Sequence, residues 1–139
     1  SGLEQQAALR SDVFAGHFER VLYMHTQGLS SQAFMMLTRT PGVVIGVHPL
    51  TPMAAQHPES FADLKGLRWA TGPEGGLSHR VALLSLQRAG VSPHDIDWSH
   101  YPSASDLIAR LQAHQTDVVC VDDLVATQLE RSGTIRLVL

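Results

Sequence analysis

The run Thr71-Gly72-Pro73-Glu74-Gly75-Gly76-Leu77-Ser78-His79 holds the residue types best suited to capturing an anion: glycines that let backbone approach a ligand, a hydroxyl and an imidazole. It lies between an apolar run ending at Ala70 and a helical pattern ending at Gly90. The first amides of a helix lack intrahelical acceptors and sit at the positive end of its dipole. The amides of Gly75, Gly76, Leu77 and Ser78 are therefore placed to hold an anionic oxygen. A reading without a ligand is equally local: the glycines make a tight turn and Ser78 caps the helix. The spacing matches neither a dinucleotide fingerprint nor a Walker loop, which disfavours nucleotides. Asp122 and Asp123 follow a second apolar run, where two carboxylates would repel an anion or pair with a cation. Asp122 is also suited to cap the helix after it.

Other reactive side chains are sparse. The eight histidines, His17, His25, His48, His57, His79, His94, His100 and His114, include no helical ligand pair, so all but His17 and His79 read as scattered surface groups, and neither metal nor cofactor is expected. Lys65 is the only lysine, which argues against Schiff-base chemistry. Ser78 and His79 are adjacent on a helix and point apart, so a hydrolytic pair is disfavoured. Cys120, the single cysteine, lies in Val118-Val119-Cys120-Val121 and reads as a buried strand residue. Trp69 and Trp98 read as core.

Ten basic against thirteen acidic residues give a net charge of -3 with no basic run, which excludes a phosphate-tracking surface and makes nucleic acid an unexpected partner. With 139 residues, 44% of them hydrophobic, the chain is sized for one core or one core plus a fragment. No apolar stretch reaches the roughly 20 residues a bilayer requires. The first 30 residues carry no basic-then-apolar signal pattern.

These residues need elements to position them. Residues 1 to 10 fit a short helix or a frayed end. Asp12 is a suitable cap for a helix over 12–27, with Val13, Phe14, Phe18, Val21 and Leu22 at helical spacing and Gly28 as its stop. Gln32–Leu37 and Val43–Val47 read as strands around the turn Arg39-Thr40-Pro41-Gly42, with Met35 and Met36 on opposite faces. Pro49, Pro52 and Pro58 mark a connector over 48–59. Beyond it come a helical turn at 60–64, strands at 67–70, 97–101, 118–121 and 135–139, and helices at 77–89, 104–114 and 124–131. Strands alternating with helices predict an α/β fold with a mainly parallel, layered sheet.

The ordered series carries a resemblance. Phe61-Ala62-Asp63-Leu64-Lys65-Gly66-Leu67-Arg68-Trp69-Ala70 with its Gly-rich turn and Ser78-His79 is similar to the second lobe of bacterial solute-binding proteins of the nitrate, sulfonate and taurine transporter type. Ala89–Ile96 and Ser103–Gln112 resemble later segments of that lobe, with Asp117 at a characteristic acidic position and Gln115 or Thr116 where a glycine is usual. Phe14–Arg20 resembles a lobe-one helix, and Arg39–Val47 the strand that crosses between lobes.

The resemblance implies a periplasmic-binding-protein type II-like layered sheet flanked by helices: partial lobe one with the crossing strand over residues 1–48, lobe two over 49–139. It implies an inter-lobe cleft lined by Gly75, Gly76, Ser78 and His79 on one side and by Gly16, His17 and Phe18 on the other, with Asp122 beside them. Relatives often carry an aromatic-acidic pair at Asp122-Asp123. The implied function is capture of a small organic or oxo-anion such as a sulfonate, nitrate or carboxylate, without catalysis, in the periplasm, for delivery to an ABC transporter permease. A ligand-sensing regulatory domain of the same fold is the alternative; the family's thiamine-pyrimidine-forming members use a lysine for which Lys65, in a surface turn, is no candidate. Against full-length relatives the chain reads as a fragment, whose uncovered apolar surface would favour self-association.

Overall fold

The computed structural model describes residues 12–13, 15–40, 42–52 and 61–137. The chain divides into two compact units, Ser1–Pro41 and Gly42–Leu139. The expected readings of residues 1 to 10, of Phe14, Pro41, Pro58 and Ser60, and of the terminal strand beyond 137 lie outside the described residues.

The first unit carries α1 (Glu19–Thr26), shorter than the helix expected over 12–27. It starts from Phe18 with no side-chain cap, so Asp12 does not serve as one. Extending it back would place Gly16 in its first turns at a cost of about 1 kcal/mol relative to alanine, with no cap to offset that. Gln32–Leu37 forms no strand, and Phe34, Met35, Met36 and Leu37 are all exposed. Its apolar residues favour a strand, but a strand forms only against a neighbour, and no strand of the sheet pairs with this segment.

The second unit is a five-stranded mixed sheet built from β1 (Val43–Val47), β2 (Arg68–Thr71), β3 (Asp97–His100), β4 (Val118–Asp122) and β5 (Arg136–Leu137), in the order β3-β2-β4-β1-β5. β2 runs parallel to β3 and β4, with Trp69 opposite Trp98 and Val118, while β1 is antiparallel to β4 and β5. β1 is therefore a full member of this sheet, and the division into compact units falls between Pro41 and Gly42. Short apolar strands with both faces covered can be hydrophobic at nearly every position, as Val118-Val119-Cys120-Val121 is.

Successive strand residues feed opposite cores. Ile45, Val47, Trp69, Val118 and Cys120 pack on one face with Ala82 and Leu86 of α2 (Leu77–Arg88) and with Leu64 of the 3-10 turn Phe61–Leu64. Ala70, Val119 and Val121 pack on the other face with Leu107 and Leu111 of α3 (Ala104–Gln112) and Ala126 and Leu129 of α4 (Asp123–Arg131). Trp69 is fully buried and its Nε1–H donates to the Leu64 carbonyl at 3.1 Å, while Trp98 is half-buried against the same core. Cys120 is buried, and burial pushes its thiol up to about 12. No helix among the described residues is long and apolar enough to cross a membrane.

Candidate functional site

The winding of the sheet fixes where a ligand can enter. α2 leaves β2 on one face and leads to β3; α3 leaves β3 on the other face and leads to β4, on the far side of β2. The connections after β2 and after β4 therefore diverge at the carboxyl ends of two adjacent parallel strands, the place where open α/β sheets leave a crevice. The turn Gly72–Gly76 and Asp122 lie there.

Three hydrogen bonds shape the turn. The Gly72 N–H donates to Ser78 Oγ at 3.1 Å, the Gly76 N–H to the Pro73 carbonyl at 2.8 Å, and the Gly75 N–H to His79 Nδ1 at 2.9 Å. Gly75 has φ +71, a conformation that side chains resist, and a Cβ on Gly76 would lie 2.8 Å from the Pro73 carbonyl oxygen. The expectation for the amides of Gly75 and Gly76 is thereby corrected: both point into the turn. Ser78 is not the cap either, since that position belongs to Gly76, which supplies no side chain. What remains is the first-turn set of Leu77, Ser78 and His79 amides, whose intrahelical acceptors do not exist. Local preference favours a serine cap; the turn instead needs the Ser78 oxygen to receive the Gly72 N–H.

Aromatic and titratable groups back this turn. His79 is 8% exposed, and its ring packs edge-on against Trp98 (5.2 Å between centroids) and His100 (4.9 Å). Because Nδ1 accepts from Gly75, the neutral ring carries its proton on Nε2. Burial holds the His79 imidazole below its ordinary range, His100 adds to that, and Glu74 opposes it. His100 Nδ1 lies 3.0 Å from both the Gly72 carbonyl and Thr71 Oγ1. A carbonyl only accepts, so that nitrogen is the protonated one. His48, also 8% exposed, departs from the expectation of a surface histidine. Among the described residues no group of three or more side chains is arranged to hold a metal ion.

Tyr101, directly after β3, is the residue that sequence reasoning missed. Its N–H donates to the Thr71 carbonyl at 3.0 Å, its hydroxyl donates to the Cys120 carbonyl at 3.4 Å, and the Ser78 hydroxyl lies beside it. Burial pushes its phenol up to about 12, with Cys120 and Asp122 adding to the shift. The signal available was positional: it follows the carboxyl end of a parallel strand. Asp122 is exposed and caps α4, its Oδ1 accepting the Val125 N–H at 3.0 Å. Gly16, His17 and Phe18 belong to the first unit, where they form the exposed lead-in to α1. The site described here is built from the second unit alone.

The chain matches no protein-family model and no curated protein. Solved structures do match. The periplasmic aliphatic sulphonate binding protein SsuA from Escherichia coli is 27% identical with a TM-score of 0.59, covering 70% of this chain and 31% of its own. The alkanesulfonate-binding protein SsuA from Xanthomonas axonopodis pv. citri, bound to MOPS, is 28% identical with a TM-score of 0.60, over 70% of this chain and 32% of its own. A protein of Bordetella bronchiseptica RB50 is 25% identical with a TM-score of 0.75, over 98% of this chain and 42% of its own. The chain thus spans about a third of the length of the sulfonate-binding chains it matches.

Proposed function

From a chain of the periplasmic solute-binding type, matched to sulfonate-binding structures at up to 28% identity, we propose that the second unit captures a small organic anion, a sulfonate by preference. The observation that carries this is the uncapped first turn of α2, set at the sheet's crevice in a fold shared with those binders. The Leu77, Ser78 and His79 amides supply three directed donors at the positive end of a helix, which suits the oxygens of a sulfonate. Gly75 and Gly76 shape the turn, Ser78 and Tyr101 hydroxyls border it, and the Asp122 cap flanks it and excludes a second anionic group. The role is binding without chemistry, in the periplasm, with the solute passed to an ABC transporter permease by the whole protein.

Leu77→Pro tests the amide set. Proline is favoured at the first helical position, and Gly76, with ψ 171, already has the extended conformation that precedes proline. The variant keeps the helix and deletes one donor. NMR titration with MOPS and methanesulfonate is expected to give a Kd of about 1 mM for this chain, and binding about tenfold weaker in the variant, the equivalent of one charge-assisted hydrogen bond. No binding of either anion, or equal binding by the variant, overturns the reading.

A further inference from the structure

The turn before α2 is held by a side chain whose proton count can change. Gly75 N–H points at His79 Nδ1 from 2.9 Å, and this is the contact that ties the left-handed glycine to the helix it introduces. A neutral imidazole accepts there. An imidazolium has an N–H at both ring positions, so protonation sets two donors head-on and the contact must open.

We propose that His79 is a proton-operated clasp on this turn: neutral, it holds Gly75 and fixes the approach to the α2 amides; protonated, it lets the turn go. The surroundings set the direction. The ring is buried against Trp98, lies at the positive end of α2, and faces His100 of β3 at 4.9 Å; the opposing charge is Glu74 of the turn itself. Among the described residues these are the titratable groups that act on His79. Burial and His100 hold its pKa below the ordinary value, so the clasp is closed at neutral pH and opens on the acid side of about 6.5. The consequence for ligand capture rests on the anion-binding reading: acid weakens binding by releasing the turn.

NMR of the chain without ligand reads the clasp directly. Near neutrality the His79 ring is expected as the Nε2–H tautomer, and the Gly75 amide resonance is expected to shift along the same pH curve as His79 protonation. In His79→Gln, whose side-chain oxygen accepts without titrating, the Gly75 resonance should be flat across that range. In His100→Asn the His79 transition should move to higher pH, with Gly75 still following it. An Nδ1–H tautomer, or a Gly75 resonance indifferent to His79, overturns the clasp. With methanesulfonate as probe, the ratio of affinities between about pH 7.5 and about pH 5 should collapse toward one in His79→Gln. Tighter binding in acid would mean that the imidazolium meets the anion itself, which also overturns the clasp. No sulfonate binding at either pH, with Gly75 still following His79, removes the ligand reading and leaves the clasp standing.

Discussion

The two ends of the sheet use the same device to different effect. At the carboxyl end His79 Nδ1 accepts the Gly75 N–H and the ring meets His100; at the amino end His48 Nδ1 accepts the Leu50 N–H at 3.2 Å and the ring meets His114 at 4.2 Å. At the amino end Arg68, Asp117 and the His48 backbone are tied to one another. The Arg68 guanidinium donates twice to the Asp117 carboxylate at 2.8 Å, the Arg68 N–H donates to the same carboxylate at 3.0 Å, and the His48 N–H donates to the Asp117 carbonyl at 2.7 Å. At the carboxyl end the first amides of α2 have no such closure. One end fastens three strands together, and the other leaves the first amides of α2 without intrahelical acceptors. Perturbations should separate accordingly, stability at the first and ligand response at the second.

The largest effect on stability is expected from Asp117→Ala, which leaves the Arg68 N–H and guanidinium without their acceptor. Discounted for the partial exposure of the pair, the loss is about 2 kcal/mol by urea denaturation, with the Gly75 amide resonance unmoved. Arg68 holds the Asp117 carboxyl below the ordinary carboxylate range. Its contribution is therefore present above about pH 3.9 and is lost as pH falls through the lower folded value. A Gly75 resonance displaced by Asp117→Ala would mean that the two ends are coupled. Next in size is Gly76→Ala at the other end. Its Cβ meets the Pro73 carbonyl at 2.8 Å, a cost partly offset by the lower chain entropy of alanine, for a net loss of about 1 kcal/mol in the same denaturation assay. Here the Gly75 and Leu77 resonances should move. Smaller again is the acid response of the two buried histidines, His48 at one end and His79 at the other. Burial first and a facing histidine second lower both. Stability from their neutral forms is complete above about pH 6.5 and falls below it, so His48→Gln should flatten part of that slope without touching Gly75.

The same contrast explains what the sequence could disclose. The second unit was legible because its strands and helices carry periodic apolar residues that a core enforces: Trp69, Leu86, Leu107, Leu111 and Val119 are all fully buried. Gln32–Leu37 has a strand's composition and no strand, because pairing depends on a neighbour that local sequence does not encode. β1 is legible as a strand, but its membership in the sheet of the second unit rests on pairing with β4, which sets Val43 opposite Asp122, far along the chain. At the site, glycines and a helix start were readable. The direction of each amide was not, since whether Gly75 faces a ligand or His79 is decided by turn geometry. Tyr101 escaped because nothing in its neighbours marks it, and only the strand order places it beside Ser78.

Tyr101→Phe is the finest test of the carboxyl end. Its hydroxyl makes a long 3.4 Å bond to the Cys120 carbonyl, so removing it should change stability by no more than about 0.5 kcal/mol. If the hydroxyl turns to a bound sulfonate, the same variant weakens binding about threefold, the lower range for a neutral hydrogen bond. The pH behaviour tells this apart from a loosened turn. The phenol, pushed up to about 12, is a neutral donor wherever the protein is folded at ordinary pH. Its loss should lower methanesulfonate affinity by the same factor at every pH, whereas a loss that grew toward acid would trace instead to His79 and the turn it holds.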